Sequence, residues 1–378
     1  MFKTLIEQVK DINYPKLKPF SFITKGRECQ NFANKVKGTK PLFILVIGST
    51  ETALIPGISA AGQNTEQLKL TPALDADFLL FKKEEFKKKI PVSPNGIPSP
   101  AILSKAIIEL LELDISVIDV GAFVKPQGKH ISLNMGPAKC LTTGNALGPI
   151  KTSFLFQKGE KLGNSLTEHP YIVIGECVPG GTTTALSVLC SLGINAFDLV
   201  SSSFPEGNNF WKNQTVKDAL LANGDLFSTI NKNPLKAAEY FGDPMQVFVS
   251  GLIKGAMKIH LPIMLAGGSQ MLAVYYLAKK ILEHDPHDTV VATTSWITND
   301  KNAKTKRLAE MVGAPLISSN VHFKDSKIEG LYAYEQGHIK EGIGAGGLMV
   351  ISDLYKDISI ENIVSQIEKV YTAAMALQ

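Results

Sequence analysis

The sequence is poor in the features that announce the simplest functional classes. It has four cysteines in 378 residues (Cys29, Cys140, Cys177 and Cys190) and no C-x-x-C pair. That argues against a disulfide framework or a structural zinc site and fits a reducing compartment. Net charge is only +4, from 39 basic and 35 acidic residues. No dense Lys/Arg block is interleaved with aromatics, so nucleic acid is not an expected partner. No apolar run approaches the roughly 18 residues of a membrane span. The longest candidate region, residues 247–277, is interrupted by Lys254, Lys258 and His260. Residues 1–10 lack the continuous apolar stretch of a secretory signal. The expectation is a cytoplasmic protein with no membrane partner. There is also no G-x-S-x-G elbow and no H-x-x-x-H spacing. No metal and no resident cofactor are expected: Asp285-Pro286-His287-Asp288 reads as an exposed turn. Asp75 and Asp77, two apart, read as a capped turn, and residues 82–89, mixed in sign, as a solvated helix face.

What is present is a regular alternation. Leu42-Phe43-Ile44-Leu45-Val46-Ile47, Ile115-Ser116-Val117-Ile118-Asp119-Val120, Tyr171-Ile172-Val173-Ile174, Pro262-Ile263-Met264-Leu265-Ala266 and Thr289-Val290-Val291-Ala292 read as strands. Most of them close on glycine and lead into helical patterns, which is the mark of a parallel sheet buried on both faces. Asn233-Pro234 and Asp243-Pro244 read as helix starts, and Gly242 as a stop. Gly251 and Gly255, four apart, allow a neighbouring backbone to approach closely. Asn299 or Asp300 is expected to cap a helix ended by Gly313. Residues 1–40 are polar with poor periodicity, and Pro91, Pro94, Pro98 and Pro100 mark a surface loop. The fold class is α/β: a doubly wound, mostly parallel sheet with helices on both faces, plus a small helical part from the chain ends. The expected division is a flanking segment over 1–40, an α/β domain over 41–355 and a C-terminal helix over 356–378 packing with the small helical part.

In an open parallel sheet, ligands bind beyond the carboxyl ends of the strands. Gly175-Glu176-Cys177-Val178-Pro179-Gly180-Gly181-Thr182-Thr183 runs from strand through glycine turn to helix, a ready anion site. It nearly matches G-x-x-x-x-G-K-S/T, but Gly181 stands where a P-loop needs lysine. Glu341-Gly342-Ile343-Gly344-Ala345-Gly346-Gly347 places a carboxylate at a glycine-rich mouth, where it can serve as a general base. Read locally, each could equally be an ordinary turn with a solvated glutamate. Gly267-Gly268-Ser269-Gln270 follows another strand, and Lys212 precedes a helix beside Trp211.

These motifs, in this order, resemble the nicotinate-nucleotide–dimethylbenzimidazole phosphoribosyltransferases, in particular a divergent branch of that family. The family's G-E-M-G-I-G-N-T-T is similar to residues 175–183, and its E-G-T-G-A to Glu341-Gly342-Ile343-Gly344-Ala345. Its K-R-A-V-x-x-x-A-L stretch has the spacing of Lys212-Asn213-Gln214-Thr215-Val216-Lys217-Asp218-Ala219-Leu220, and its G-V-S-A that of Gly57-Ile58-Ser59-Ala60. Val178, Gly181 and Ala266 depart from the family's glycine, asparagine and aspartate. The resemblance implies transfer of phosphoribose from nicotinate mononucleotide to an aromatic base such as dimethylbenzimidazole or adenine. It makes Glu341 the base and Glu176 the carboxylate facing the sugar cation. Gly180, Gly181, Thr182, Thr183, Lys212, Gly267 and Gly268 would hold the nucleotide, and Ser59, Gln67, Gly342 and Gly344 the incoming base. A homodimer is implied on the same ground. Two other classes stay open: a nucleotide-dependent kinase or ligase, and a nucleotide-binding protein of the same fold without turnover.

Overall fold

The structure, a computed structural model, describes residues 18–81, 90, 92–93, 97–202, 204, 206–207 and 209–376. One sheet carries eight strands: β1 (Phe20–Thr24), β2 (Leu42–Gly48), β3 (Asp114–Gly121), β4 (Ile131–Ser132), β5 (Ile172–Cys177), β6 (Ile263–Ala266), β7 (Thr289–Thr293) and β8 (Leu316–Ser319). Their spatial order is β1-β8-β7-β6-β5-β2-β3-β4. Every pairing is parallel except that of β1 with β8.

The apolar runs explain why the interior strands form. In β2, Ile44 and Val46 face one hydrophobic core, while Phe43, Leu45 and Ile47 face the other. A period of two thus splits one run between two cores, and both faces must be covered by helices. The first core is closed by helices Gly148–Ser165, Gly181–Ser191, Pro244–Met257 and Ser269–Leu282. The second is closed by Gly26–Val36, Ala101–Leu111, Ala345–Lys356 and Ile360–Met375. This is the expected doubly wound sheet.

Two helices on the first face approach unusually closely. A Cβ on Gly251 would lie 2.2 Å from the Phe156 carbonyl oxygen, and one on Gly255 would lie 2.0 Å from that of Glu160. Gly159 and Gly163 on the facing helix are equally tight against Phe248 and Leu252. The small residues are there because backbone packs on backbone.

Several local expectations are corrected. Residues 18–40, from the 1–40 segment expected to be part of a small helical subdomain, supply β1, which extends the main sheet, and helix Gly26–Val36, which packs into the second core. The helix ended by Gly313 begins at Thr305, not at Asn299 or Asp300. The Asp300 carboxylate is held by Lys340 instead, at 2.7 Å with both side chains buried. The Asp243-Pro244 start is as expected, with a full capping box through Gln246. The charged run over residues 82–89 lies outside the described residues.

Candidate active site

The connections run outward in opposite directions from β2 and β5, which are neighbours in the sheet. That is the topological switch point, where a crevice opens beyond the strand ends. A cavity of about 140 Å³ lies there, the size class that takes a single aromatic ring.

Glu176 is not in the turn but in β5 itself, one residue from its end. It is 5% exposed. Burial pushes its carboxyl up to about 8, and the neighbouring carboxylates of Asp243 and Glu341 add to that. Hydrogen bonds from the Val178 N–H and the Gln270 side chain pull the other way. The turn that follows is short. Gly180 adopts φ 77°, and helix Gly181–Ser191 starts at once. The Gln270 amide fills the space a Cβ on Gly181 would take, so a side chain there would displace that amide. Carbonyls of Val178 and Gly180 already take the N–H groups of Gly181 and Thr183.

Glu341 comes from the opposite side, ahead of helix Ala345–Lys356. Its carboxylate receives four donors. Thr293 Oγ1 and the Thr294 N–H reach Oε2, both at 2.9 Å. The N–H groups of Gly342 and Gly346 reach Oε1, both at 3.1 Å. Burial raises this carboxyl, and the four hydrogen bonds oppose it. Ile343 ties the two acid-bearing segments together: its N–H donates to the Glu176 carbonyl oxygen at 3.1 Å. It does so at φ 57°, a left-handed conformation that costs a β-branched residue about 1–3 kcal/mol.

A third carboxyl lines the same cavity, and the sequence reading missed it. Asp75 is not in a capped turn but inside helix Thr65–Leu80, 2% exposed. Its Oδ2 accepts from the Cys177 thiol at 3.5 Å, while Oδ1 is buried with no partner. Burial pushes it up to about 7, with the Cys177 thiol and the nearby Ser99 hydroxyl, which makes no hydrogen bond to Oδ1, pulling the other way. The available signal was a carboxylate inside the otherwise apolar stretch Thr71-Pro72-Ala73-Leu74-Asp75-Ala76. Among the described residues lining the cavity there is no lysine, arginine or histidine.

No protein-family profile matches the chain. Curated relatives do. A UPF0284 protein of Trichodesmium erythraeum is 36% identical over 365 residues, covering 94% of this chain and 99% of its own length. One of Thermococcus kodakarensis is 38% identical over 341 residues, covering 90% and 99%. The chain belongs to the UPF0284 family. In fold, this UPF0284 protein is similar to the nicotinate-nucleotide–dimethylbenzimidazole phosphoribosyltransferase of Thermus thermophilus, with TM-score 0.59 and 16% identity, 94% of each chain being covered. A second structure from that organism gives TM-score 0.57, also at 16% identity.

Of the residues singled out in the UPF0284 sequence, Glu176, Gly180, Gly181, Thr182, Gly268, Ser59, Glu341 and Gly342 line the cavity. Thr183, in the first turn of helix Gly181–Ser191, and Gly267 and Gly344, each just ahead of a helix, are not on its wall. Lys212 is fully buried behind the wall, where its Nζ donates to the Ser201 carbonyl oxygen at 2.7 Å. Burial and the Lys340 ammonium lower its pKa to about 7. Gln67 serves the start of its own helix: its Oε1 accepts the Gln63 N–H at 3.0 Å, and it is not on the cavity wall. Asp285 engages Lys25 and Lys279, and Asp288 engages Lys35. Among the described residues no cluster of three or more His, Cys, Asp or Glu is placed to hold a metal, and no helix is long and apolar enough to cross a membrane.

Proposed function

We propose that this protein transfers phosphoribose from nicotinate mononucleotide to an aromatic base, releasing nicotinate and an α-ribotide. The single observation behind the reading is the convergence of Glu176 and Glu341, 165 positions apart in sequence, on one crevice whose described lining residues include acids and no lysine, arginine or histidine. Such a wall suits a reaction that develops positive charge.

The donor's pyridinium leaves as a neutral ring, so departure generates cationic character at the anomeric carbon without a metal. Glu176 lies where it can face that charge. A cation beside it favours its ionised form, offsetting the burial that protects the proton in the free protein. As the unprotonated ring nitrogen of the base forms the new C–N bond, the other ring nitrogen loses its proton, and Glu341 accepts it. The four donors on Glu341 aim it before the base arrives and favour its ionised form against the burial that raises it. Attack opposite the leaving group converts a β-nucleotide into an α-ribotide. The phosphate would meet the N–H groups of Gly180 and Thr182 at the start of helix Gly181–Ser191, with Ser201 and Ser269 alongside.

The test is incubation with nicotinate mononucleotide and a panel of aromatic bases, with products resolved by chromatography and mass. Release of nicotinate together with a ribotide of α configuration is expected. Absence of nicotinate release over the whole panel overturns the reading. Glu341→Gln should lower turnover by about 10²–10⁴-fold, the usual contribution of general-base catalysis, with nucleotide affinity almost intact. A variant turning over at wild-type rate removes Glu341 from that role.

A further inference from the structure

Asp75 has no part in the transfer chemistry above, yet it is the most buried acid on the cavity wall. Side chains alternate across β5, so Glu176 points towards the core holding Asp243, and Cys177 points towards the opposite one. Asp75 pairs with Cys177 and therefore stands across the strand end from Glu176. The cavity divides accordingly. Gly180, Gly181, Thr182, Ser269 and Gln270 are on the Glu176 side. Asp75, with the neighbouring Ser99, is on the Cys177 side, and Pro100, Gly342 and Glu341 also line the cavity. Gly342 packs against Pro100, and Ile58, Val92 and Ile343 add apolar surface to the cavity wall.

A cavity of about 140 Å³ with apolar residues on its wall and one buried carboxyl oxygen lacking a partner suits a flat ring with a polar edge. We propose that Asp75 reads the hydrogen-bonding edge of the incoming base, selecting an aromatic base with an N–H or amino donor on its six-membered ring over one with only methyl groups there. The inference rests on the transfer reading for its assignment of this end to the base. Oδ1 is left unsatisfied when the ring presents methyls, and a buried polar atom without its partner is the strongest lever a site has for rejecting an analogue. A carboxyl that burial brings to about 7 serves the same edge in either form, accepting from an amino group or donating to a ring nitrogen.

The test separates recognition from turnover. The full chain is titrated calorimetrically with adenine and, separately, with 5,6-dimethylbenzimidazole. Adenine is expected to bind at least tenfold more tightly. Asp75→Ala should weaken adenine tenfold or more and leave dimethylbenzimidazole within about twofold. Asp75→Asn, which preserves volume, controls for folding and should weaken adenine while keeping the wild-type Tm within a few degrees. Unchanged preference in both variants, equal losses for the two bases, or binding of neither base overturns the inference. Preferential adenine binding that depends on Asp75, with no nicotinate release, sustains it while removing the transfer reading.

Discussion

Two glutamates of the same side-chain chemistry are prepared differently here, and the difference decides what each can do. Glu341 is surrounded by donors, Glu176 by burial and other acids. The pH dependence of the proposed transfer follows from the second. In the free protein Glu176 loses its proton near pH 8. If the ionised form faces the sugar cation, kcat/KM rises with pH through about that value. In the complex the donor's positive charge lowers the same group, so the rising limb of kcat lies at lower pH. Glu176→Gln should remove both limbs and cost about 10²–10³-fold in kcat, as loss of one preorganised electrostatic group does. Initial-rate profiles between pH 5 and 9 check this, and a variant that keeps the wild-type limbs assigns them to another group. Lys212 acts one layer behind. It holds the Ser201 carbonyl, and Ser201 lines the cavity. Lys212→Met should therefore raise the apparent KM for the nucleotide more than it lowers kcat, and unchanged KM would show that the loop stands without it.

At the level of elements, the helix pair Gly148–Ser165 and Pro244–Met257 locks the first core by backbone contact, with Gly159 and Gly163 on one helix and Gly251 and Gly255 on the other. Gly251→Val puts a branched side chain where 2.2 Å is available. The helices must separate, exposing Phe248 and Leu252, and overpacking of this kind costs about 1–3 kcal/mol or more. A fall in the chemical-denaturation midpoint, with the denaturant slope unchanged, checks it, while a stability within experimental error of wild type would mean the pair can slide without loss. Gly251 and Gly255 are also an instance of what is legible from sequence, because four-residue spacing on one face has few other uses. The strands legible from sequence are the long apolar ones, β2, β3, β5, β6 and β7, whose burial on both faces leaves an unbroken signature. The three that escape are an edge strand, a two-residue strand and a four-residue strand ending in serines. Their pairing comes from tertiary neighbours: Thr24 Oγ1, for example, donates to the Ala314 carbonyl oxygen at 2.6 Å and sets β1 against β8. In the candidate site, Glu176 and Glu341 are legible through the family resemblance of the glycine-rich motifs that hold them, since the glycines alone also fit an ordinary turn. Asp75 is not, because helix Thr65–Leu80 presents it among apolar residues and only the folded chain brings it against Cys177. Gln67 fails for the opposite reason, since a glutamine just inside a helix start satisfies the turn before it reaches a ligand.

Across the whole molecule, the acids gathered at the switch point make stability depend on pH. Asp75, Glu176 and Asp243 are all raised, to about 7, about 8 and about 6, and burial is the leading cause in each. In the unfolded chain they return to the ordinary carboxyl range near 4. Between those limits the folded protein binds more protons than the unfolded one, so stability is fully present below about pH 4 for these groups and is lost as pH rises through their folded values. Lys212 opposes the trend at the alkaline end. Lowered to about 7, it is neutral when folded but charged when unfolded up to its usual range, and so contributes stability that rises with pH above about 7. The sum is a curve that falls from pH 5 to about 7, is level to about 8 while Glu176 and Lys212 offset each other, and rises beyond that, where Lys212 acts alone. The acids repel one another, so their contributions are coupled, and removing one proton-binding site relieves the rest. Asp75→Asn combined with Glu176→Gln should therefore be more stable than wild type at pH 8 and should lose that advantage at pH 5. The gain at pH 8 is a few kcal/mol, because each tenfold difference in proton affinity between folded and unfolded chain is worth about 1.4 kcal/mol. Guanidinium denaturation of both proteins at the two pH values reads the difference directly. A gap of the same size at pH 5 and pH 8 would mean that the carboxyls are not held above their unfolded values, and that the crevice is wetter and less strained by charge than its burial indicates.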